Sequence, residues 1–260
     1  MGLTTGWEPD LPDGDSLLRR FVYSFADRGR FVATSSGGRH LRTEAADFAD
    51  PDSAFVFDNA VTLLRPPSPG DLAEVVDEAN RFYPAARTWV LFSVWPLPDL
   101  TDSGLELVGH PPFMLRPGTS TASGFRTPDL RIVEVSTPDE LADFGKVLVE
   151  GYPMPPGGAV VNERLLGGPI RLFVGYDGDR PVAVSGAGVL HGLIDVEWVA
   201  VLPGHRGKGY GKAMTVHAMQ VDPGLPAVLL SSDDGRPVYE RLGFVSVLRC
   251  TIWWRRSLTS

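Results

Sequence analysis

Four glycines, Gly204, Gly207, Gly209 and Gly211, share one short stretch with Arg206, Lys208 and Lys212. Glycine lets the backbone approach a ligand with no Cβ in the way and reach dihedrals closed to other residues. Ahead of the turn, the apolar run Val196-Glu-Trp-Val-Ala-Val201 reads as a strand. Behind it, Lys212 to Gln220 holds neither Gly nor Pro and reads as a helix. The first N–H groups of that helix and the positive end of its dipole point into the turn, where the three cations add formal charge. Such a combination binds anions, and a pyrophosphate fits it. Spacing excludes two other anion loops: no Gly-x-x-x-x-Gly-Lys-Ser/Thr occurs, and Gly207-Lys-Gly-Tyr-Gly-Lys212 lacks the third glycine of the dinucleotide fingerprint.

Arg206-Gly-Lys-Gly-Tyr-Gly211, five residues beyond the strand end at Val201, resembles the acyl-coenzyme A signature Gln/Arg-x-x-Gly-x-Gly/Ala of the GNAT superfamily of N-acetyltransferases. Downstream, Val238-Tyr-Glu-Arg-Leu-Gly-Phe244 is similar to the Tyr-x-x-Leu-Gly-Phe close of the same family. The resemblance implies acetyl-CoA as co-substrate, held by Val199, Ala200 and Val201 and by Arg206, Gly207, Lys208, Gly209, Tyr210, Gly211 and Lys212. It also implies that the strand splays from its neighbour near Val199, whose N–H becomes the donor to the thioester oxygen. Tyr239 matches a family tyrosine aimed at the coenzyme sulfur, which implies a general acid. Ser232 stands where many relatives carry a pantetheine-binding asparagine, a departure from the pattern.

Acyl transfer to an amine needs a neutral amine, a stabilised carbonyl oxygen and a proton for the leaving thiolate. In Asp195-Val-Glu-Trp-Val-Ala-Val201, period-2 alternation puts Asp195, Glu197, Val199 and Val201 on one face, so either carboxylate can serve as the base and spacing does not choose. Cys250, the single cysteine, reads as a small core residue, which favours direct attack over an acyl-enzyme. His40, His110, His191, His205 and His217 are scattered without ligand spacing, so no metal site is expected.

The 260 residues, 43% hydrophobic and 22% charged, suit one large or two ordinary globular domains. A net charge of −8 argues against a nucleic-acid partner and is compatible with steering a cationic amine. With no charged-then-apolar leader and no apolar run of membrane length, a cytoplasmic protein is expected, with a homodimer as one possible state. The leading reading is an N-acetyltransferase acting on a small-molecule, peptide or protein amine. The alternative is a non-catalytic acyl-CoA-binding module.

These residues must be positioned by a larger frame. Residues 1–15 read as a loose leader, and 16–116 as a first domain. In that domain, helix Leu17 to Phe25, strand Phe55 to Leu64, a capped helix from Ser68 and strand Thr88 to Val94 precede a helix or turn and a short strand over 105–116. The small polar run within 117–129 reads as a linker, and 130–260 as the second domain. Its order is β-α-β-β-β-α-β-α-β, with a helix reduced near 157–168 and a last strand Val245 to Trp254. The fold class expected is mixed α/β, a GNAT-type, largely antiparallel sheet flanked by helices. The first domain, which lacks the glycine turn, is expected to be a degenerate copy that completes the substrate cleft.

Overall fold

The apolar stripe that begins after Ser16 opens a helix considerably longer than its spacing predicts, α1 (Leu17–Ser35). The structure, a computed structural model, describes residues 16–118, 129–152, 154–155 and 160–256. The expected leader and nearly all of the expected linker lie outside those residues. After α1 come β1 (Arg39–Arg42), β2 (Ala46–Asp50), β3 (Ala60–Leu63), α2 (Pro69–Phe82), β4 (Trp89–Ser93), β5 (Glu106–Gly109) and β6 (Pro112–Arg116). They are followed by β7 (Arg131–Glu134), α3 (Pro138–Gly151), β8 (Ile170–Asp177), β9 (Arg180–Leu190) and β10 (Leu193–Val201). The last elements are α4 (Tyr210–Met219), β11 (Ala227–Leu230), α5 (Arg236–Glu240), β12 (Val245–Arg249) and β13 (Thr251–Arg255). No helix among the described residues is long and apolar enough to cross a membrane.

The strands form two sheets, one of six strands in the order β1-β2-β3-β4-β13-β5 and one of seven in the order β12-β6-β11-β10-β9-β8-β7. Both are largely antiparallel, and each has a parallel pair where a helix makes the crossover: β3 with β4 around α2, and β10 with β11 around α4. Strand for strand, β1-β2-β3-β4-β13-β5 repeats the order β8-β9-β10-β11-β6-β12, and β7 is added at the edge of the second sheet.

The chain divides into one unit of residues 1–111 with 248–260 and another of 112–247. This cut differs from the one expected at 117–129. β6 pairs with β11, Leu115 opposite Val228, and so belongs to the second sheet. β13 pairs with β4 and with β5, and so belongs to the first. The run 245–254, expected as one strand, is therefore two strands in different sheets, divided at the buried Cys250. Alternation along a sequence carries no information about which sheet a strand joins. The stretch 105–116, expected as a helix or turn and a short strand, is likewise two strands, and the helix expected to be lost or reduced near 157–168 is one 3-10 turn at Glu163–Leu165 among the described residues.

Local chemistry explains the first unit. Ser68 and Asp71 form a reciprocal capping box at the start of α2, with Pro69 inside it. The buried face of α2, from Leu72 through Ala79, meets Phe48, Val61, Trp89 and Leu91 of the sheet and Trp253 of β13. Tyr83 stacks on Trp89 at 5.6 Å, and its hydroxyl donates to the Ala49 carbonyl at 2.9 Å, so this buried phenol is satisfied. Arg255 fixes the last strand by donating to Asn80 Oδ1 and to the carbonyls of Pro84 and Arg87.

Candidate active site

β10 begins as an ordinary sheet member and does not end as one. It pairs in parallel with β11 at Ile194–Ala227 and Asp195–Val228. The paired register stops there, although β10 continues to Val201 and β11 to Leu230. The two strands thus part, leaving an opening in the middle of the sheet.

On its other side β10 pairs with β9, and the register slips within the same stretch. Glu197 stands opposite Gly186 and Ala200 opposite Val184, so Trp198 and Val199 together face Ser185. This is a β-bulge, a device that re-aims backbone groups. Trp198 has a left-handed φ of 53°, which for a bulky side chain costs on the order of 1–3 kcal/mol. Packing offsets the cost. The Trp198 ring is only 8% exposed, meets Phe144 of α3 edge-on at 6.3 Å, and lies where a Cβ on Gly186 would come within 3.0 Å of it. Ser185 donates to the Met214 carbonyl at 3.2 Å and so ties the strand facing the bulge to α4.

Both candidate bases precede the bulge, and burial distinguishes them. Asp195, before it, is wholly buried, whereas Glu197, at its edge, is partly exposed. Beyond it, Val199 and Val201 face the start of α4: a Cβ on Gly211 would lie 3.5 Å from Val201 Cγ2 and 4.0 Å from Val199 Cγ1. A glycine there lets helix and strand approach closely.

The glycine turn runs from a 3-10 turn at Pro203–His205 into α4. Gly207 and Gly209 have φ of 80° and 84°, and an added Cβ at either would meet no protein atom within 4 Å. Gly209 is the N-cap and supplies no side-chain acceptor. The first intrahelical bond comes from Ala213 N–H to Gly209 O at 3.0 Å, so the N–H groups of Tyr210, Gly211 and Lys212 point out of the helix end. Two of the expected cations are engaged elsewhere. Arg206 donates through Nε to Val201 O at 3.3 Å and through Nη2 to Gly151 O at 2.9 Å. Lys208 pairs with Asp177 at 3.3 Å, and the same carboxylate accepts the Tyr210 hydroxyl at 2.8 Å. The Tyr210 bond, followed by the Lys208 bond, holds the Asp177 carboxyl below its usual range. Arg206 and Tyr210 therefore brace the turn, and the N–H groups at the start of α4 face out of it.

Ser232 is exposed and accepts the Gly235 N–H at 3.0 Å, while its carbonyl accepts Arg236 N–H, so it organises the entry to α5. Tyr239 of α5 packs edge-on against Phe244 at 5.9 Å. Burial pushes its phenol up to about 12, and Tyr152 and the Glu197 carboxylate act in the same direction. In the first unit, burial alone pushes the Cys250 thiol up to about 12, as befits a core residue.

Sequence reasoning missed Trp198, Gly186 and Gly151. The signal for the first two was present: Ser185-Gly-Ala-Gly188, small residues in a strand opposite a tryptophan, is what a bulge with a close side-chain approach requires.

Residues 168–246 match the family model of the acetyltransferase (GNAT) domain. No curated protein sequence matches the chain significantly. A GCN5-related N-acetyltransferase from Kribbella flavida superposes with a TM-score of 0.65 at 17% identity, over 88% of this chain and 95% of that one. A protein assigned to the GNAT family of acetyltransferases, from Novosphingobium aromaticivorans, gives 0.63 at 17% identity over 94% of this chain and 100% of that one. A conserved protein of unknown function from Staphylococcus epidermidis gives 0.65 at 14% identity over 85% and 95%. At such identities the likeness is one of fold, and it covers residues of both units. The matched segment contains the parted strands, the glycine turn and Tyr239; residues 168–246 thus match an acetyltransferase (GNAT) domain, and the fold around them is that of GCN5-related N-acetyltransferases.

Proposed function

We propose that the chain transfers an acetyl group from acetyl-CoA to a primary amine by direct attack. The observation that carries this reading is the opening between β10 and β11, bordered by a bulge on one side and by a helix N-terminus with no side-chain cap on the other. The residues present fit the coenzyme: outward N–H groups from Tyr210 to Lys212 and two left-handed glycines suit a pyrophosphate. Val199, Ala200 and Val201 border the opening, where a pantetheine arm would run. The co-substrate supplies an activated acetyl thioester. The Val199 N–H donates to its carbonyl oxygen, Glu197 takes the proton from the amine directly or through water, and the Tyr239 hydroxyl donates to the sulfur. Asp195, with no exposed surface, is the poorer base. A cytoplasmic setting is consistent with this reading. Free thiol released from acetyl-CoA in the presence of a panel of primary amines tests it. Coenzyme binding without thiol release for any amine would instead favour the non-catalytic module.

The first unit supports a single coenzyme site per chain. There β3 and β4 stay paired across Ala60–Val90, Val61–Leu91 and Thr62–Phe92, so the strands do not part. The helix after β3 is closed by its own side chains: Ser68 accepts Asp71 N–H, Asp71 accepts Ser68 N–H at 3.0 Å, and Arg65 lies 3.4 Å from Asp71. A carboxylate thus stands where a phosphate would bind. Calorimetric titration with coenzyme A should give one equivalent per chain; two would place a site in the first unit and contradict the argument.

A further inference from the structure

Three described residues other than glycine have a left-handed φ, Asp52, His191 and Trp198. Aspartate and histidine are enriched in that region, and both of these lie outside the strands. Trp198 is of neither kind. It is a bulky residue inside β10, at a bulge, where glycine is the residue that ordinarily takes this conformation. Its own preference opposes the conformation, so its neighbours must hold it. Phe144 of α3 meets the ring edge-on at 6.3 Å. Gly186 of β9 leaves the space that the ring fills, since a Cβ there would stand 3.0 Å from Trp198 Cε3. Ser185, which faces the bulge, is wholly buried and tied to α4 by its 3.2 Å bond to Met214 O. The peptide that follows, with the Val199 N–H, takes its direction from Trp198. It lies beyond Asp195, the last residue of β10 in register with β11.

We propose that Trp198 is the positioning residue for the thioester: its left-handed backbone turns the Val199 N–H toward the carbonyl oxygen, and its ring locks that backbone through Gly186 and Phe144. The inference rests on the acetyltransferase reading and adds to it the side chain that sets the direction of the donor. A strand residue with ordinary dihedrals would leave the next N–H in the plane of the sheet, whereas one left-handed residue re-aims it. Strain held at a single residue by packing from α3, α4 and β9 fixes that direction before any ligand arrives. A donor set in advance needs no reorganisation when charge builds on the oxygen.

The test reads the thioester carbonyl itself. Acetyl-CoA carrying a carbon-13 label at that carbon is bound to the full chain, and isotope-edited infrared spectroscopy compares its carbonyl band with that of the free compound. In wild type the donated hydrogen bond should move the band to lower frequency. Trp198→Val keeps an apolar side chain but, being β-branched, resists the left-handed region, and should lose most of the shift. Trp198→Gly gives up the ring but enters that region at no steric cost, and should keep more of the shift than Trp198→Val. A role in packing alone would give the opposite order. Gly186→Ala retains the tryptophan and sets a methyl against its ring, so it should reduce the shift even if loss of the ring unfolds the other two variants. Turnover of an accepted amine should fall by about 10²–10³ in Trp198→Val, the cost of one lost oxyanion donor, while calorimetric affinity for coenzyme A changes little. No shift in wild type, a full shift in Trp198→Val, a larger shift in Trp198→Val than in Trp198→Gly, or an unchanged shift in Gly186→Ala would each overturn the proposal. Thiol release by wild type is scored separately. The expected band pattern with no thiol released for any amine would sink the acetyltransferase reading and leave the positioned donor standing; thiol release with no band shift would do the reverse.

Discussion

Gly209→Asp should leave the protein folded and weaken coenzyme A by at least about 100-fold in calorimetry, the equivalent of two tenfold steps of affinity. Gly209 has a φ of 84°, and aspartate is among the side chains that tolerate the left-handed region best. Its Cβ would meet nothing within 4 Å, so no clash opposes the substitution. The added carboxylate would set a fixed negative charge beside the N–H groups that point out of α4, where the proposed pyrophosphate would bind. A melting temperature close to wild type, together with lost affinity, would separate the binding effect from unfolding. Equal affinity would remove the turn from the coenzyme site.

What could be read in the sequence was local. The glycine turn, the strand before it and the helix after it are set by Gly207, Gly209 and the apolar run to Val201, and the structure contains all three. The capping signals at Ser68 and Thr137 likewise lie in their own few residues, and both are reciprocal boxes in the structure. Strand membership was not legible in this way. Val245 to Arg255 contains no Gly or Pro to mark a break, and only the pairing of Ile252 with Phe92 and Trp253 with Leu91 assigns its second part to the other sheet. β1 and β2 escaped notice because charges conceal them: Arg39 faces Asp50 and Arg42 faces Asp47 across the pair, so a charged sequence forms a strand held by cross-strand ion pairs.

The candidate site follows the same division. Period-2 alternation made Asp195 and Glu197 equivalent, and it could not register a bulge that depends on Gly186 in a neighbouring strand and Phe144 on a helix. The charges of Arg206 and Lys208 were legible as charges, but their partners, the Gly151 carbonyl and Asp177, come from distant parts of the chain. Side-chain identity therefore suggested an anion site, whereas the partners that engage Arg206 and Lys208 are set by the tertiary fold.

Tyr239→Phe should lower turnover by about 10²–10³ while coenzyme affinity changes little. The ring, its edge contact with Phe244 and the α5 turn are all retained, so the variant deletes only the hydroxyl. At an unperturbed phenol of about 10, the gap to a thiol near 8.5 would be about 1.5 units. Burial pushes Tyr239 to about 12, which widens the gap and makes complete proton transfer to a thiolate more steeply uphill. In the proposed mechanism the phenol is therefore expected to act chiefly as a hydrogen-bond donor whose bond tightens as charge builds on sulfur, an interaction stronger in the transition state than in the ground state. The raised value also fixes the pH dependence. The neutral, donating form is kept up to about 12, so this hydroxyl imposes no alkaline fall in rate near 10, and activity should level off as the amine loses its proton. The measurement is turnover of an accepted amine from pH 7 to pH 11, under conditions where chemistry limits the rate, for wild type and Tyr239→Phe. Unchanged turnover in the variant would reduce Tyr239 to a packing residue. An alkaline limb near 10 in wild type that disappears in the variant would show a phenol that titrates normally and donates its proton outright.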